Sequence, residues 1–257
     1  MRVQSLSTIN TGRFWQSFFI CLAVPLFNSS GIAGELKVIE MFTSQGCYSC
    51  PAADKLLAKM AAKDADILNL EFHVDYWNQL QYRSAGNWED PYSAAEYTQR
   101  QRQYSALNLR GERGVYTPQA VINGVFGHVG SNHRALKAGL KIANARPVTV
   151  SIDRADATTL TIQLAGQSQA PADAHIYLVN FLEKTSTKIT AGENHDKVME
   201  NHNVVVDMKS IGTVAQTGDK PLQVSYSGGE NRGCAVLIQR EQPVSYTHLT
   251  LPTTPYV

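Results

Sequence analysis

Two cysteines separated by two residues, Cys47 and Cys50, stand where an apolar strand gives way to an amphipathic helix, and no other feature constrains the fold as much. Val38-Ile39-Glu40-Met41-Phe42 reads as a buried strand, and Thr43-Ser44-Gln45-Gly46 as the turn that lifts the chain to the sheet edge. Ala53, Leu56, Leu57, Met60 and Ala61 then recur at helical spacing. Pro51 suits the first helical turn, because the N–H it lacks would have no partner within the helix. Cys47 is therefore expected at the helix N-terminus, where unpaired N–H groups and the helix dipole favour an anion. Its thiol should ionise more readily than a free cysteine, whose pKa is about 8.5. Cys50 would be the resolving thiol.

A single C-x-x-C also fits a zinc half-site or a plain structural disulfide. No second C-x-x-C or Cys/His pair at finger spacing completes a metal site, so no metal is expected. A copper(I) carrier is disfavoured because no Met or His closely flanks the pair. A permanent disulfide in a fold without redox activity remains the serious alternative.

The N-terminal residues point to export. Arg2 and Arg13 precede an apolar run from Phe14 to Phe27, and Gly31-Ile32-Ala33 offers the small residues that a signal peptidase reads. Residues 1–33 are expected to be a cleaved signal peptide, which implies a periplasmic or secreted protein. The run is about fourteen residues, shorter than the ~20 a membrane span requires, so no membrane span is expected after cleavage. Cys21 would leave with the signal. Phe18-Phe19-Ile20 before it lacks the small residue expected ahead of a lipidated cysteine.

The remaining ~224 residues can bury a core without disulfide staples, which leaves the dithiol free for chemistry. Cys234, in the apolar run Gly233-Cys234-Ala235-Val236-Leu237-Ile238, reads as a small core residue. Without Arg2 and Arg13 the 23 basic residues fall to 21, against 22 acidic ones, with no basic tract. Nucleic acid is excluded as a partner on that balance.

Past the first helix, Ile67 to Val74 has apolar side chains at every second position and reads as a strand ending in Asp75-Tyr76-Trp77-Asn78. A long loop runs to about Pro91. Ser93 and Glu96 form a capping-box pattern that opens a polar helix to about Leu107, with Tyr97 and Tyr104 on one face. Val115-Tyr116-Thr117-Pro118 leads into the strand Gln119-Ala120-Val121-Ile122, which Asn123-Gly124 turns into a second short strand. Ser131 is expected to cap a last helix through Leu136 and Leu140.

The order strand, C-x-x-C, helix, strand, inserted helix, Thr-Pro, hairpin, helix is that of a thioredoxin-like domain. Glu40 through Pro51, Phe72-His73-Val74-Asp75-Tyr76-Trp77, Tyr116-Thr117-Pro118-Gln119, Gly192-Glu193-Asn194 and His202-Asn203-Val204-Val205 together resemble the bacterial DUF1223 family of exported, thioredoxin-like proteins of unassigned function. The resemblance covers nearly all of the mature chain and implies a fold and a compartment. Thioredoxin-like folds hold a cis-proline opposite the dithiol, and Pro118 is the matching position. A cis Thr117–Pro118 bond is expected, with Thr117 and Pro118 shaping a docking edge for an extended peptide. Gly46 stands where the best-known thioredoxins carry a Trp, and Tyr48-Ser49 lies between the thiols, which separates this chain from their substrate range.

Several groups are placed to assist. Glu40 could accept a proton from Cys50 if its side chain points toward the pair, and His73 and Asp75 at the end of the next strand are further candidates. The plainer reading makes Glu40 a hydrogen-bonded anchor and His73 and Asp75 loop-fixing groups. Trp77, Tyr76 and Trp88 would floor a groove beside the dithiol or belong to the core.

A boundary is expected near Ala145-Arg146-Pro147, giving a thioredoxin-like domain over 34–146 and a smaller, mainly β, sandwich-like domain over 147–241. Gly192 to Lys197 reads as a solvated polar turn that with His202 could also bind a ligand. Residues 242–257, rich in Thr and Pro and without period, resemble a translated adaptor sequence and are expected to be unstructured and artefactual, with the natural chain truncated near Arg240. The expected function is thiol–disulfide exchange through Cys47 and Cys50 with a protein or small-thiol partner, without an organic cofactor. The rival is a non-catalytic envelope binding protein braced by a structural Cys47–Cys50 disulfide.

Overall fold

In the computed structural model, residues 36–80, 86–107, 109–142, 148–166, 171, 173–218, 220–226, 228–240 and 248–250 are described. The signal-like segment with Cys21, the Ala145-Arg146-Pro147 boundary and most of the terminal tail lie outside these residues. Strand β1 (Lys37–Thr43) is followed by helix α1 (Cys50–Ala61) and strand β2 (Ile67–His73), which pairs with β1 in parallel, Lys37 opposite Ile67 and Thr43 opposite His73. Helix α2 (Ala95–Ala106), the two-residue strand β3 (Arg110–Gly111), and the hairpin of β4 (Gln119–Ile122) and β5 (Phe126–Val129) come next. Asn123 and Gly124 form the hairpin turn with φ of 49° and 70°. These are the left-handed values that a two-residue hairpin requires of Asn-Gly. Helix α3 (His133–Gly139) follows, capped by Asn132, whose side chain accepts from the Ala135 N–H, rather than by Ser131 as the sequence suggested.

Strands β6 (Thr149–Arg154), β7 (Thr159–Ala165), β8 (Ala174–Lys188) and β9 (Val198–Thr213) come after the expected boundary, with the short helix α4 (Val214–Thr217), β10 (Leu222–Ser225), β11 (Arg232–Arg240) and β12 (His248–Thr250). They do not stand apart as a separate layer pair. A nine-stranded mixed sheet runs β12-β11-β8-β9-β2-β1-β4-β5-β3, and a three-stranded sheet runs β10-β7-β6. The chain is thus an α/β protein with one large mixed sheet, to which strands from both sides of the expected boundary contribute. The terminal tail is also not wholly without structure, since His248–Thr250 pairs antiparallel with Val236–Ile238 of β11. That pairing satisfies backbone groups along an otherwise open strand edge.

Strands β8 and β11 each face two cores. Ile176, Leu178, Cys234, Val236 and Ile238 pack against Val150, Ile152, Leu160 and Ile162 of the small sheet. Their neighbours Val179, Phe181, Ala235 and Leu237 face the other way, into the core with Phe42, Phe72, Tyr97 and Tyr104. Alternation along a strand buried on both faces lets it serve two cores at once. Cys234 is buried in the first of these, and burial pushes its thiol up to about 11, as suits an inert core residue. Among the described residues no helix is long and apolar enough to cross a membrane.

The two faces of β1 and β2 set the geography of the site. Ile39 and Met41 pack with Ala53, Leu57 and Met60 of α1. Val38, Phe42, Leu68, Leu70 and Phe72 lie on the opposite face, against Tyr97 and Tyr104 of α2. The intervening β2 residues Asn69, Glu71 and His73 therefore lie on the α1 face, and all three are buried. The backbone join between β2 and β9 is narrow, a parallel pairing at Glu71 and Val204. Asn203, at a positive φ of 51°, reinforces it by donating from its amide to the Asn69 carbonyl.

Candidate functional site

Cys47 and Cys50 form a disulfide across the turn that enters α1. Backbone bonds from Cys47 N–H to the Ser44 carbonyl (3.1 Å) and from Cys50 N–H to the Cys47 carbonyl (3.2 Å) wind this turn tightly. The Ser49 hydroxyl lies 3.4 Å from Cys47 Sγ. Only 1% of Cys47 and none of Cys50 is exposed, whereas 68% of Tyr48 between them is. The chain thus shows the tyrosine to solvent and keeps both sulfurs beneath it.

The Thr117–Pro118 peptide bond is cis, as the resemblance implied. It leads into β4, whose first residue Gln119 sits opposite Phe42 at the end of β1 from which the dithiol turn departs. The Trp77 indole N–H donates to the Thr117 hydroxyl at 2.8 Å, and a Cβ built on Gly46 would lie 3.3 Å from Trp77 Cβ. Trp77 thus fills the space beside the dithiol turn and joins it to the cis-proline loop. This close approach explains the glycine at position 46.

Two of the candidate assistants lie elsewhere. Glu40 is buried on the α2 face, where Arg100 donates to both its carboxylate oxygens and the Tyr104 hydroxyl donates as well. It therefore does not face the cysteines, because strand alternation sends its side chain through the far side of the sheet. Asp75 accepts from the Thr98 hydroxyl at 2.5 Å and fastens the loop after β2 to α2. Ser93, expected to open α2 as half of a capping box, instead donates to the Asp90 carbonyl and accepts from the Asn78 amide. The helix begins after Ala94 without a side-chain cap.

His73 does lie on the dithiol side, within a buried polar cluster that the sequence reading did not assemble. Its Nδ1 is 2.7 Å from Asp90 Oδ2, and its Nε2 stands 3.8 Å from Glu71 Oε2, an ion-pair distance too long for a hydrogen bond. Asp90 also accepts from the Gln45 N–H, two residues before Cys47. Asp54, one helical turn after Cys50, accepts from the Thr43 hydroxyl at 2.9 Å and from the Asn201 amide at 3.4 Å. Asn201 donates again to Glu71 (2.9 Å) and accepts from the Gln45 amide (3.1 Å). Asp54 was legible only as a polar break in the apolar stripe of α1, at a position that the helix buries.

Burial pushes the Asp54 carboxyl well above its usual range, and the adjacent Glu71 charge adds to the effect. For His73, burial alone would depress the imidazole, but the Asp90 carboxylate and Glu71 reverse this and lift it from 6.5 to about 10. Burial of Asp90 is in turn outweighed by the His73 charge and by the Gln45 and Tyr92 N–H donors, so its carboxyl is held below 3.8. These shifts set the pH dependence of folding. The His73 contribution is complete below pH 6.5 and is lost as pH rises toward about 10. Asp54, which binds its proton more tightly when folded, also costs stability as pH rises above 3.8. Asp90 works the other way, contributing above 3.8 and losing its contribution on further acidification. Thermal unfolding should therefore give a higher Tm at about pH 6 than at about pH 9.5, with the difference reduced in His73→Gln. A Tm that rises across this interval would contradict the assignment.

In the loop joining β8 to β9, expected to be a solvated turn, Glu193 and His195 to Lys197 are indeed exposed, but Asn194 is not. Gly192, at a φ of 73°, turns the chain so that Asn194 is fully buried. The Asn194 amide donates to the carbonyls of Gln45 and Cys47, each at 2.8 Å. Glu193 Oε2 accepts from the Tyr48 N–H at 2.9 Å, and Lys197 Nζ lies 4.4 Å from the Tyr48 ring centroid while donating to Asn194 Oδ1. A segment some 145 residues away in sequence thus holds the backbone of the dithiol turn.

No curated protein and no solved structure matches the chain. A family model described as protein of unknown function (DUF1223) matches residues 38–239, the span that contains the dithiol turn, the cis-proline loop and the β8–β9 loop, and the chain belongs to that family.

Proposed function

We propose that this chain is an exported, thioredoxin-like protein that exchanges its Cys47–Cys50 disulfide with a protein or small-thiol partner in the periplasm or outside the cell. The observation that carries the reading is a disulfide at the entry of α1 with a cis Thr117–Pro118 bond nearby and a buried acid, Asp54, one turn along the same helix. In the exchange, a partner thiolate attacks Cys47 Sγ, a new S–S bond forms, and Cys50 leaves as a thiolate that takes up a proton. A second partner thiol then displaces Cys47. The protein gains two electrons and two protons, and two partner thiols become one disulfide. In the reverse sequence the Cys47/Cys50 dithiol reduces a partner disulfide to two thiols and is itself reoxidised to the disulfide. Cys47 is the attacking thiol and Cys50 the resolving one, while Thr117 and Pro118 shape the docking edge and His73 acts through its contacts rather than on sulfur.

The burial of both sulfurs favours a second reading, a structural brace in a non-catalytic envelope binding protein. The reduction potential separates the two. Equilibration in glutathione buffers with thiol trapping, in a Cys234→Ala background, should give a potential between about −270 and −120 mV if the pair exchanges. A value below about −300 mV, with no attack by mild thiols, would make the disulfide structural.

A further inference from the structure

The contact between the β8–β9 loop and the dithiol turn has a chemical consequence beyond covering the sulfurs. The N–H groups at the start of a helix stabilise a cysteine thiolate by pointing positive dipole ends at it. Helix α1 begins at Cys50, and in the turn just before it the N–H that follows Cys47, that of Tyr48, is taken by the Glu193 carboxylate. The donor is thereby occupied and a negative charge stands one peptide unit from the position where the Cys47 thiolate must form. The Cys47 carbonyl is held by the Asn194 amide, so the turn is fixed from both sides of its peptide plane. Lys197, the cation on this loop, is directed to Asn194 Oδ1 and the Tyr48 ring. From below, Asp90 holds the Gln45 N–H and pairs with His73, and Asp54 lies behind Thr43.

We infer that Glu193 is a tuning residue of the redox site: bound to the Tyr48 N–H, it holds Cys47 as the thiol, and withdrawal of the β8–β9 loop frees that N–H and releases the thiolate. The inference rests on the exchange reading for its biological meaning but not for its test. It assigns the Gly192-Glu193-Asn194 segment to the dithiol chemistry and makes partner docking at the loop a way to switch Cys47 on. Since a more stable thiolate also stabilises the reduced pair, displacement of Glu193 makes the disulfide more oxidising.

The test is the pH dependence of Cys47 alkylation by iodoacetamide in the reduced full chain, with Cys234→Ala and the labelled site identified by peptide mass. Glu193→Gln keeps an acceptor for the Tyr48 N–H and removes only the charge, whereas Glu193→Ala removes both. Both variants should lower the midpoint of the alkylation profile by about one pH unit, the size expected for a like charge this close. The plateau rate at high pH should stay within about twofold of the parent in Glu193→Gln, because the loop remains in place. An unchanged or raised midpoint in Glu193→Gln would overturn the inference, and so would a variant pair that changes only the plateau rate, which would make the loop a cover and nothing more. The alkylation profile is read on the reduced protein, so a failure of the exchange reading shows in the potential alone and a failure of this inference in the midpoint alone.

Discussion

Replacing Glu40 by alanine is expected to cost about 3–5 kcal/mol of folding stability, the range for breaking one side of a buried ion pair. Glu40 is fully buried, and the Arg100 guanidinium that it binds has only 12% of its side chain exposed. Arg100 also lies over the Phe72 and Tyr104 rings, 5.6 and 5.3 Å from their centroids, and donates to Gln239 Oε1 at 2.9 Å. Burial works against its charge, and the Glu40 carboxylate more than compensates, keeping it ionised. Without Glu40 the cation loses the carboxylate that offsets its burial, and the Tyr104 hydroxyl loses Glu40 as an acceptor. Urea denaturation should show a lower midpoint at unchanged slope. The double variant Glu40→Leu with Arg100→Met should recover much of the loss, since an apolar pair of similar volume avoids the desolvation cost. Because Glu40 faces away from α1, the folded single variant should exchange thiols at the parental rate. A stability loss below about 1 kcal/mol would instead put this pair in the class of surface bridges.

The second large effect is expected at Asp54 and moves stability and rate in opposite directions. As the acid one turn from Cys50, Asp54 can supply the proton that the departing thiolate needs and take it back in the reverse step. Asp54→Asn should slow the opening of the Cys47–Cys50 bond by small thiols about 10²-fold, the lower range for loss of a positioned acid or base. The same substitution removes a carboxyl whose ionisation is opposed by burial and by Glu71. The variant should therefore be more stable than the parent at alkaline pH, and its Tm should depend less on pH above the ordinary carboxylate range. Rapid-mixing measurement of disulfide reduction with thiol trapping gives the rate, and a thermal melt at about pH 9 gives the stability. An unchanged reduction rate with raised stability would make Asp54 a structural acid only, and the proton would then come from solvent.

Both effects belong to pairings that no stretch of sequence displays. Glu40 and Arg100 are 60 residues apart, and their meeting depends on α2 packing on the far side of β1. The sequence offered Glu40 both as a hydrogen-bonded anchor, which it is, and as a partner for Cys50, because the parity of a strand residue is known only once the helices have been assigned to faces. Asp75 was drawn toward the site by its nearness in sequence to His73, yet the strand ends between them and the loop turns toward α2. The burial of Asn69, Glu71 and His73 on the other face of β2 was not legible for a related reason. Alternation reports which residues share a face but not whether another strand and helix will cover it.

What the amino-acid sequence determined by itself is the local grammar: a buried strand turning into a C-x-x-C at the start of α1, the Asn123–Gly124 hairpin and the core placement of Cys234. The cis geometry at Pro118 and the placement of the chain in its family came from resemblance, which local reading alone could not have supplied. Turn chemistry, periodicity and burial preference act over a few residues, and so they are visible in a few residues. Tertiary structure alone decided that β8 and β11 extend the first sheet rather than form a separate layer, that Asp54, Glu71, His73 and Asp90 gather under the disulfide, and that Glu193 and Asn194 hold the dithiol turn. These are contacts between polar groups far apart in the chain. Their energy comes from satisfying buried donors, acceptors and charges, and which groups must satisfy one another is fixed only when the sheet order brings them out of water together.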